Sequence, residues 1–165
     1  MTDTTQMDGV FSYTIARLAE ADELDQVVSI ETASFTNPWT REILQRELLY
    51  EEVARVYVVR AADRTIVAFC ACWFIVDELH INTLAVDAAH RRRGIATRLV
   101  DFVLEQGRAS GMQRATLDVR RSNEAALQMY RRLGFVVTAV RKHYYTRPEE
   151  DGLILWRDDL HAPPG

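Results

Sequence analysis

The chain predicts an α/β fold of the α+β kind, with a mixed, mostly antiparallel central sheet of roughly six to seven strands flanked by about four helices. Three observations predict it. Short apolar runs alternate with period two, as strands do, while longer ones recur every three or four residues, as helices do. The two kinds interleave in the order β-α-α-β-β-β-α-β-α-β-β. Glycine, proline, asparagine and aspartate stand at the breaks between them. A length of 165 residues suits one substantial core and is short for two. Residues 1–165 are therefore expected to form a single domain, with flexible ends over 1–10 and 161–165.

Residues 11–17 alternate and give the first strand. Asp22 then opens a helical spacing carried by Leu24, Val27, Val28 and Ile30. It must stop before Asn37-Pro38, because a residue preceding proline is pushed out of the helical region. Thr40 is placed to cap a second helix, with Ile43, Leu44 and Leu48 along one stripe. Runs 53–60 and 65–76, joined by the polar turn Ala62-Asp63-Arg64, read as a hairpin, and a break at Asp77-Glu78 leads into a strand over 79–86. A third helix over 93–110 follows from Ile95, Leu99, Phe102 and Val103, and Gly111 ends it. Then come a strand over 114–119 and a helix capped by Ser122-Asn123 and closed by Gly134. Two last strands, 135–140 and 152–157, flank a loop over 142–151.

Apolar residues at 48% and charged residues at 27% are the proportions of a soluble globular chain. Acids outnumber bases 24 to 20, and a net charge of -4 withholds the general electrostatic footprint of nucleic-acid binding. Cys70 and Cys72 are the only cysteines. Two apart on a strand, they share a face where a disulfide would be strained, so they read as small buried hydrophobes in a reducing compartment. The N-terminal stretch lacks the basic start and apolar core of a signal peptide, and no apolar run approaches the roughly 18 residues of a spanning helix. A cytoplasmic protein with neither nucleic acid nor membrane as partner is expected. His80, His90 and His143 are scattered without convergent carboxylates or cysteines, so no metal site is expected.

The pattern richest in chemistry is Arg91-Arg92-Arg93-Gly94-Ile95-Ala96. It joins a strand end to a helix start, where unpaired backbone N–H groups and the helix dipole favour an anion such as pyrophosphate. Gly94 lets the backbone approach closely, Ala96 is small, and the arginines add positive charge. Spacing alone would also fit a solvated basic turn ahead of an amphipathic helix. The wider order is more specific. Asn82-x-Leu84-Ala85-Val86, Arg91-x-x-Gly94-x-Ala96, Leu117-Asp118-Val119, Asn123, Tyr130 and Leu133-Gly134-Phe135 together resemble the GNAT superfamily of N-acetyltransferases over nearly the whole chain. The arginine-glycine stretch matches that superfamily's phosphate loop in full. Ile30-Glu31 with Phe35 and Pro38-Trp39, Val119-Arg120 with Ser122-Asn123, and Arg141 with Tyr144-Tyr145 before Asp151-Gly152 are similar to the ribosomal-protein-alanine branch. His143 stands where that branch usually has asparagine.

The resemblance implies the acetyltransferase fold with splayed central strands, and acetyl-CoA as co-substrate. It implies that the backbone at Leu84, Ala85 and Val86 lines the acetyl and pantetheine arm. Arg92, Arg93, Gly94, Ile95, Ala96 and Thr97 would hold the phosphates, and Asn123 would contact the cofactor. A backbone N–H at Val86 is placed to polarise the thioester carbonyl. Asp118 occupies the place of a glutamate proposed as general base, and Tyr130 that of a tyrosine proposed as general acid. Aspartate is one methylene shorter, so its reach to an amine runs through a water. The competing readings are an exposed strand aspartate paired with Arg120 on the same face, and a tyrosine that fills the core. Glu31 and Glu78 are reserve bases that otherwise read as surface acids. Glu31, Phe35, Trp39, Tyr144 and Tyr145 form the acceptor side, with Trp39 alternatively stapling the second helix.

An α-amine with a reference pKa near about 7.7–8.0 is easier to neutralise at pH 7 than a lysine near about 10.4, by roughly 3 kcal/mol. That suits a weak or water-mediated base. The expected reaction is acetyl transfer to the N-terminal α-amine of a protein, with an alanine-starting ribosomal protein as the partner. The alternatives are a small-amine acetyltransferase acting on an antibiotic or polyamine, and an acetyl-CoA-binding regulatory module with weak catalysis.

Overall fold

The structure, a computed structural model, describes residues 5, 6 and 12–164. In chain order the elements are β1 (Thr5–Gln6), β2 (Thr14–Arg17), α1 (Leu24–Ser34), α2 (Arg41–Leu49), β3 (Ala54–Arg60), β4 (Ile66–Ile75) and β5 (Glu78–Val86), then α3 (Ile95–Ala109), β6 (Arg114–Arg120), α4 (Glu124–Arg132), β7 (Val136–Tyr145) and β8 (Glu150–Arg157). Short 3-10 turns lie at Ala21–Glu23 and Ala88–His90. The strand order is β1-β2-β3-β4-β5-β6-β8-β7. β5 and β6 run parallel, while β2–β3, β6–β8 and β7–β8 are antiparallel, which makes the sheet mixed and mostly antiparallel as expected. The extra strand is the two-residue β1, with Thr5 opposite Ile15 and Gln6 opposite Thr14. These two residues lie within the start over 1–10 that is expected to be flexible. The rest of that stretch and Phe11, the expected start of the first strand, lie outside the described residues.

Two compact units make up the chain, Met1–Cys72 with Thr83–Val103 and Trp73–Asn82 with Leu104–Gly165. In the first, α1 and α2 each bury an apolar stripe. Leu24, Val27, Ile30 and Leu44 join Leu18, Val56, Val58, Ile66, Phe69, Ala71 and Ala85 in one cluster. Full burial of each Leu, Ile or Phe there contributes about 1.5–3 kcal/mol. β4 is buried at every residue from Ile66 to Cys72, so both its faces are covered, and this is why its sequence is a continuous apolar run. Cys70 and Cys72 are buried free thiols within it. The Thr40 hydroxyl accepts from the Ile43 N–H at 3.3 Å and caps α2, while Trp39 packs on the cluster that contains Leu44, the contact of a hydrophobic staple. Buried Arg60 at the end of β3 grips Glu23 with two bonds, Nη2 to Oε1 at 2.6 Å and Nε to Oε2 at 3.1 Å.

In the second unit β6 buries Ala115, Leu117 and Val119, and α4 buries Leu127, Met129 and Tyr130. Asn123 caps α4 through its Oδ1, which accepts from the Ala126 N–H at 3.2 Å. The closing hairpin corrects the expected loop over 142–151. β7 continues to Tyr145 and β8 starts at Glu150, which leaves only 146–149 as the turn. Asp151 accounts for the extension. Its Oδ1 accepts from the His143 N–H at 3.0 Å, and its Oδ2 takes Lys142 at 3.1 Å and Arg121 at 3.3 Å, which holds the strand together where its register is irregular between Arg141 and Tyr145. His143 has φ of 53°, a left-handed conformation that asparagine, aspartate and histidine enter more readily than other side chains. Near the C-terminal end, Arg157 donates to the carbonyls of Leu133 at 2.9 Å and Ala162 at 2.8 Å.

Thr40→Ala is expected to remove about 1 kcal/mol of stability, read as a lower urea midpoint at unchanged slope. An unaltered midpoint would show that the cap contributes nothing.

Candidate functional site

Strand alternation on β5 turns Ala85 into the core of the first unit and leaves Leu84 and Val86 half-buried on the opposite face. Beyond the Ala88–His90 turn, Arg92 (φ 64°) and Gly94 (φ 75°) both adopt left-handed backbone, and this reverses the chain so that α3 starts at Ile95. A Cβ added at Gly94 would meet nothing within 4 Å, so the glycine answers to its φ and the space beside it is open. The first backbone N–H groups of α3 have no acceptor within the helix. Two of the three arginines shape this loop. Arg91 Nε donates to the Val86 carbonyl at 3.2 Å, and Arg93 Nη1 donates to the Tyr13 hydroxyl at 2.9 Å, which pairs in turn with His90 Nδ1 at 3.1 Å. Open space, helix-start donors and three exposed arginines fit a pyrophosphate. Gly94→Ala is expected to weaken coenzyme A binding about 5- to 30-fold, the equivalent of the roughly 1–2 kcal/mol penalty for a side chain in left-handed backbone. Isothermal titration checks it, and unchanged affinity would remove the loop from the binding site.

Glu31 on α1 is only 2% exposed, which corrects its reading as a surface acid. Its Oε1 accepts from the Thr83 hydroxyl at 2.6 Å and its Oε2 from the Trp39 N–H at 3.0 Å. Phe35, just past α1, is 40% exposed, and Trp39 is half-buried. Burial raises the Glu31 carboxyl above its ordinary value of 4.5, and the bonds from Thr83 and Trp39 only partly offset that. The folded state thus binds this proton more tightly than the unfolded chain. The associated stability is fully present below about pH 4.5 and is lost as pH rises through the folded value. Glu31→Gln has no such proton, so as pH rises above about 4.5 the stability difference should move in favour of the variant. A difference independent of pH in chemical-denaturation series would contradict this.

In the second unit Asp118 lies on the exposed face of β6, and its Oδ2 pairs with Arg141 Nη1 of β7 at 3.8 Å. Arg120 reaches the end of the hairpin, donating to the Thr146 and Pro148 carbonyls at 3.0 Å each and to Glu150 at 3.3 Å, with its guanidinium 4.5 Å from the Tyr145 ring centroid. Those acceptors, with the ring, satisfy more of its five donors than one carboxylate on its own strand would. Glu150 also accepts from the Ser122 N–H at 2.6 Å, just ahead of the α4 cap. Glu78 hydrogen-bonds His80 Nε2 at 3.0 Å and is ion-paired with Arg114 at 3.2 Å.

Tyr144 and Tyr145 stand edge to face at 5.0 Å, with Arg141 5.1 Å from the Tyr144 ring. Burial, and then the negative charge of Asp118, push the Tyr145 hydroxyl up to about 12, so it stays protonated at any working pH. Tyr144 is 45% exposed and lies over Gly152, where a Cβ would come within 2.9 Å of its ring. Tyr130 is 5% exposed, edge to face with Phe135 at 5.5 Å. Asn123 uses its side-chain oxygen for the helix cap, and its amide nitrogen is a further donor.

The structure thus assembles Leu84–Val86 with the arginine loop, Glu31 with Trp39, and Asp118 with both tyrosines. Tyr13 and Thr83 are additions that the sequence reading missed. Thr83 left a signal, as a polar residue on the buried face that β5 otherwise fills with Leu79, Ile81 and Ala85. Tyr13 is 80 residues from Arg93 and left none. Among the described residues no group of three His, Cys, Asp or Glu is placed to hold a metal ion, and no helix is long and apolar enough to cross a membrane.

A strand end, a left-handed glycine turn and an anion-binding helix start define a class. Residues 24–135 match the model of the acetyltransferase (GNAT) family, and the chain belongs to that family, whose enzymes draw their acetyl group from acetyl-CoA. A ribosomal protein bS18-alanine N-acetyltransferase from Haemophilus ducreyi is 31% identical over 145 residues, covering 86% of this chain and 97% of its own. A Bacillus subtilis protein provisionally named as the same enzyme is 33% identical over 135 residues, 82% of this chain and 89% of its own. The crystal structure of the ribosomal-protein-S18-alanine N-acetyltransferase from Escherichia coli superimposes with a TM-score of 0.82 at 26% identity, over 91% of this chain and 96% of that one.

Proposed function

We propose that this enzyme transfers acetyl from acetyl-CoA to the N-terminal α-amine of a protein, with an alanine-starting ribosomal protein as acceptor. The observation that carries the acceptor is the 31% identity to a bS18-alanine N-acetyltransferase, spread over 86% of the chain. In this reading the amine nitrogen attacks the thioester carbonyl, a C–N bond forms, the C–S bond breaks, and the thiol leaves with a proton. The backbone at Leu84, Ala85 and Val86 lines the acetyl arm, and the Val86 N–H polarises the carbonyl. Arg92, Arg93, Gly94, Ile95, Ala96 and Thr97 hold the phosphates, aided by Asn123. Asp118 accepts the amine proton through a water, since its ion pair with Arg141 is long and its carboxylate only part-buried. Tyr130 serves the sulfur by hydrogen bonding, because a phenol near about pKa 10 is a weaker acid than a thiol near about 8.5. Phe35 and Trp39 in the first unit, and Tyr144 and Tyr145 in the second, are the residues that contact the peptide.

Residues 1–165 act as one catalytic domain, supported by a family match that draws on residues of both units. The acceptor and the net charge of -4 support a cytoplasmic enzyme with no direct contact to nucleic acid or membrane.

Purified enzyme mixed with acetyl-CoA should release thiol with an alanine-starting peptide and not with the same peptide N-terminally blocked. Release with a polyamine or aminoglycoside alone would replace the reading with a small-amine transferase, and coenzyme binding without any release would leave a regulatory module. Tyr130→Phe should lower kcat while coenzyme A affinity stays nearly intact. Asp118→Asn should slow turnover about 10²-fold or more, with Asp118→Glu tolerated; an Asn variant at full rate would remove Asp118 from proton transfer.

A further inference from the structure

Glu31 carries a carboxylate that the proposed chemistry does not use and that is expensive to bury. Its two oxygens serve two different segments of the first unit. One accepts from the Thr83 hydroxyl at 2.6 Å, on β5 directly ahead of Leu84, and the other from the Trp39 N–H at 3.0 Å, at the end of the loop between α1 and α2. Neither bond is needed to form the local elements. α1 closes with the Phe35 N–H on the Glu31 carbonyl at 3.1 Å, and α2 is capped by Thr40 itself. A carboxylate is a pure acceptor, and both groups it holds are donors, so the match in hydrogen-bond polarity is complete. At 2% exposure with both oxygens engaged, Glu31 has no access to an amine and is not a base.

We infer that Glu31 is a positioning residue: through Thr83 and Trp39 its carboxylate ties the 35–39 loop to β5, and so sets the distance between the peptide-facing side chains of that loop and the strand end at Val86. The inference rests on the acceptor reading above, which places Phe35 and Trp39 against the peptide. Loss of the tie shifts one wall of the acceptor site and leaves the arginine loop in place.

The test varies an alanine-starting peptide and acetyl-CoA separately in steady-state kinetics. Thr83→Val keeps the volume and deletes one of the two bonds. It is expected to raise KM for the peptide about fivefold to tenfold, in line with loss of one ordinary hydrogen bond, with KM for acetyl-CoA and kcat within about twofold. Glu31→Ala should raise the peptide KM further. Glu31→Gln should fall between Glu31→Ala and the native enzyme, because its carbonyl still accepts from Trp39 and its amide can donate to a turned Thr83 hydroxyl. Hydrogen exchange of the 35–39 loop, measured on the same proteins without substrate, should speed up in the order Glu31→Gln, Thr83→Val, Glu31→Ala. Exchange unchanged in Glu31→Ala would overturn the tie whatever the activity. Peptide KM unchanged in Thr83→Val with a lowered Tm would overturn the positioning role and leave a purely structural one. A native enzyme that acetylates no peptide, with exchange still accelerated in the variants, would sink the acceptor reading and keep the tie.

Discussion

The reversal between β5 and α3 is the constraint on which the chemistry of the first unit depends. A strand must end, turn back and present a helix start, and it does so through two left-handed residues, Arg92 and Gly94, of which only the second is free of steric cost. Arg92 stays in that conformation because its neighbours hold it on either side, Arg91 on the Val86 carbonyl and Arg93 on Tyr13. The loop is therefore held in shape by the protein's own hydrogen bonds, which position the donors at the start of α3. A run of three arginines reads as raw positive charge, but two of the three act as scaffolding.

The second unit uses charge differently. Nearly every ionic side chain near Asp118 is committed to hairpin geometry: Arg120 to the turn carbonyls and Tyr145, Asp151 to Lys142, Arg121 and the His143 backbone, Glu150 to Arg120 and the start of α4. Exposed pairs of this kind add little stability one by one, yet as a network they hold two adjacent tyrosines on an irregular strand. The rigid aromatic pair is thus a product of bonds made several residues away from it.

What was legible in the sequence was local. Thr40 and Asn123 cap helices from the positions that the residue pattern names, Gly94 takes the backbone that its spacing demands, and the Asp63 turn joins β3 to β4. What was not legible depended on partners distant in the chain. The burial of Glu31 depends on a threonine 52 positions away, and Arg120 reaches acceptors 26 to 30 positions on. The strand over 142–145 was hidden because histidine, lysine and arginine look like loop until Asp151 gathers them. β1 lies in a stretch too polar to announce a strand, and only its partner β2 shows that it is one.

The continuous burial of β4 has a consequence for the chain's redox character. Burial first, and then the neighbouring Cys70 sulfur, push the Cys72 thiol well above its ordinary value, and Cys70 is enclosed on the same strand. Oxidants and electrophiles attack thiolates that they can reach, and neither sulfur offers one. In a reaction whose product is itself a free thiol, the protein thus keeps its own two sulfurs enclosed within β4, away from the surface where thiol exchange takes place.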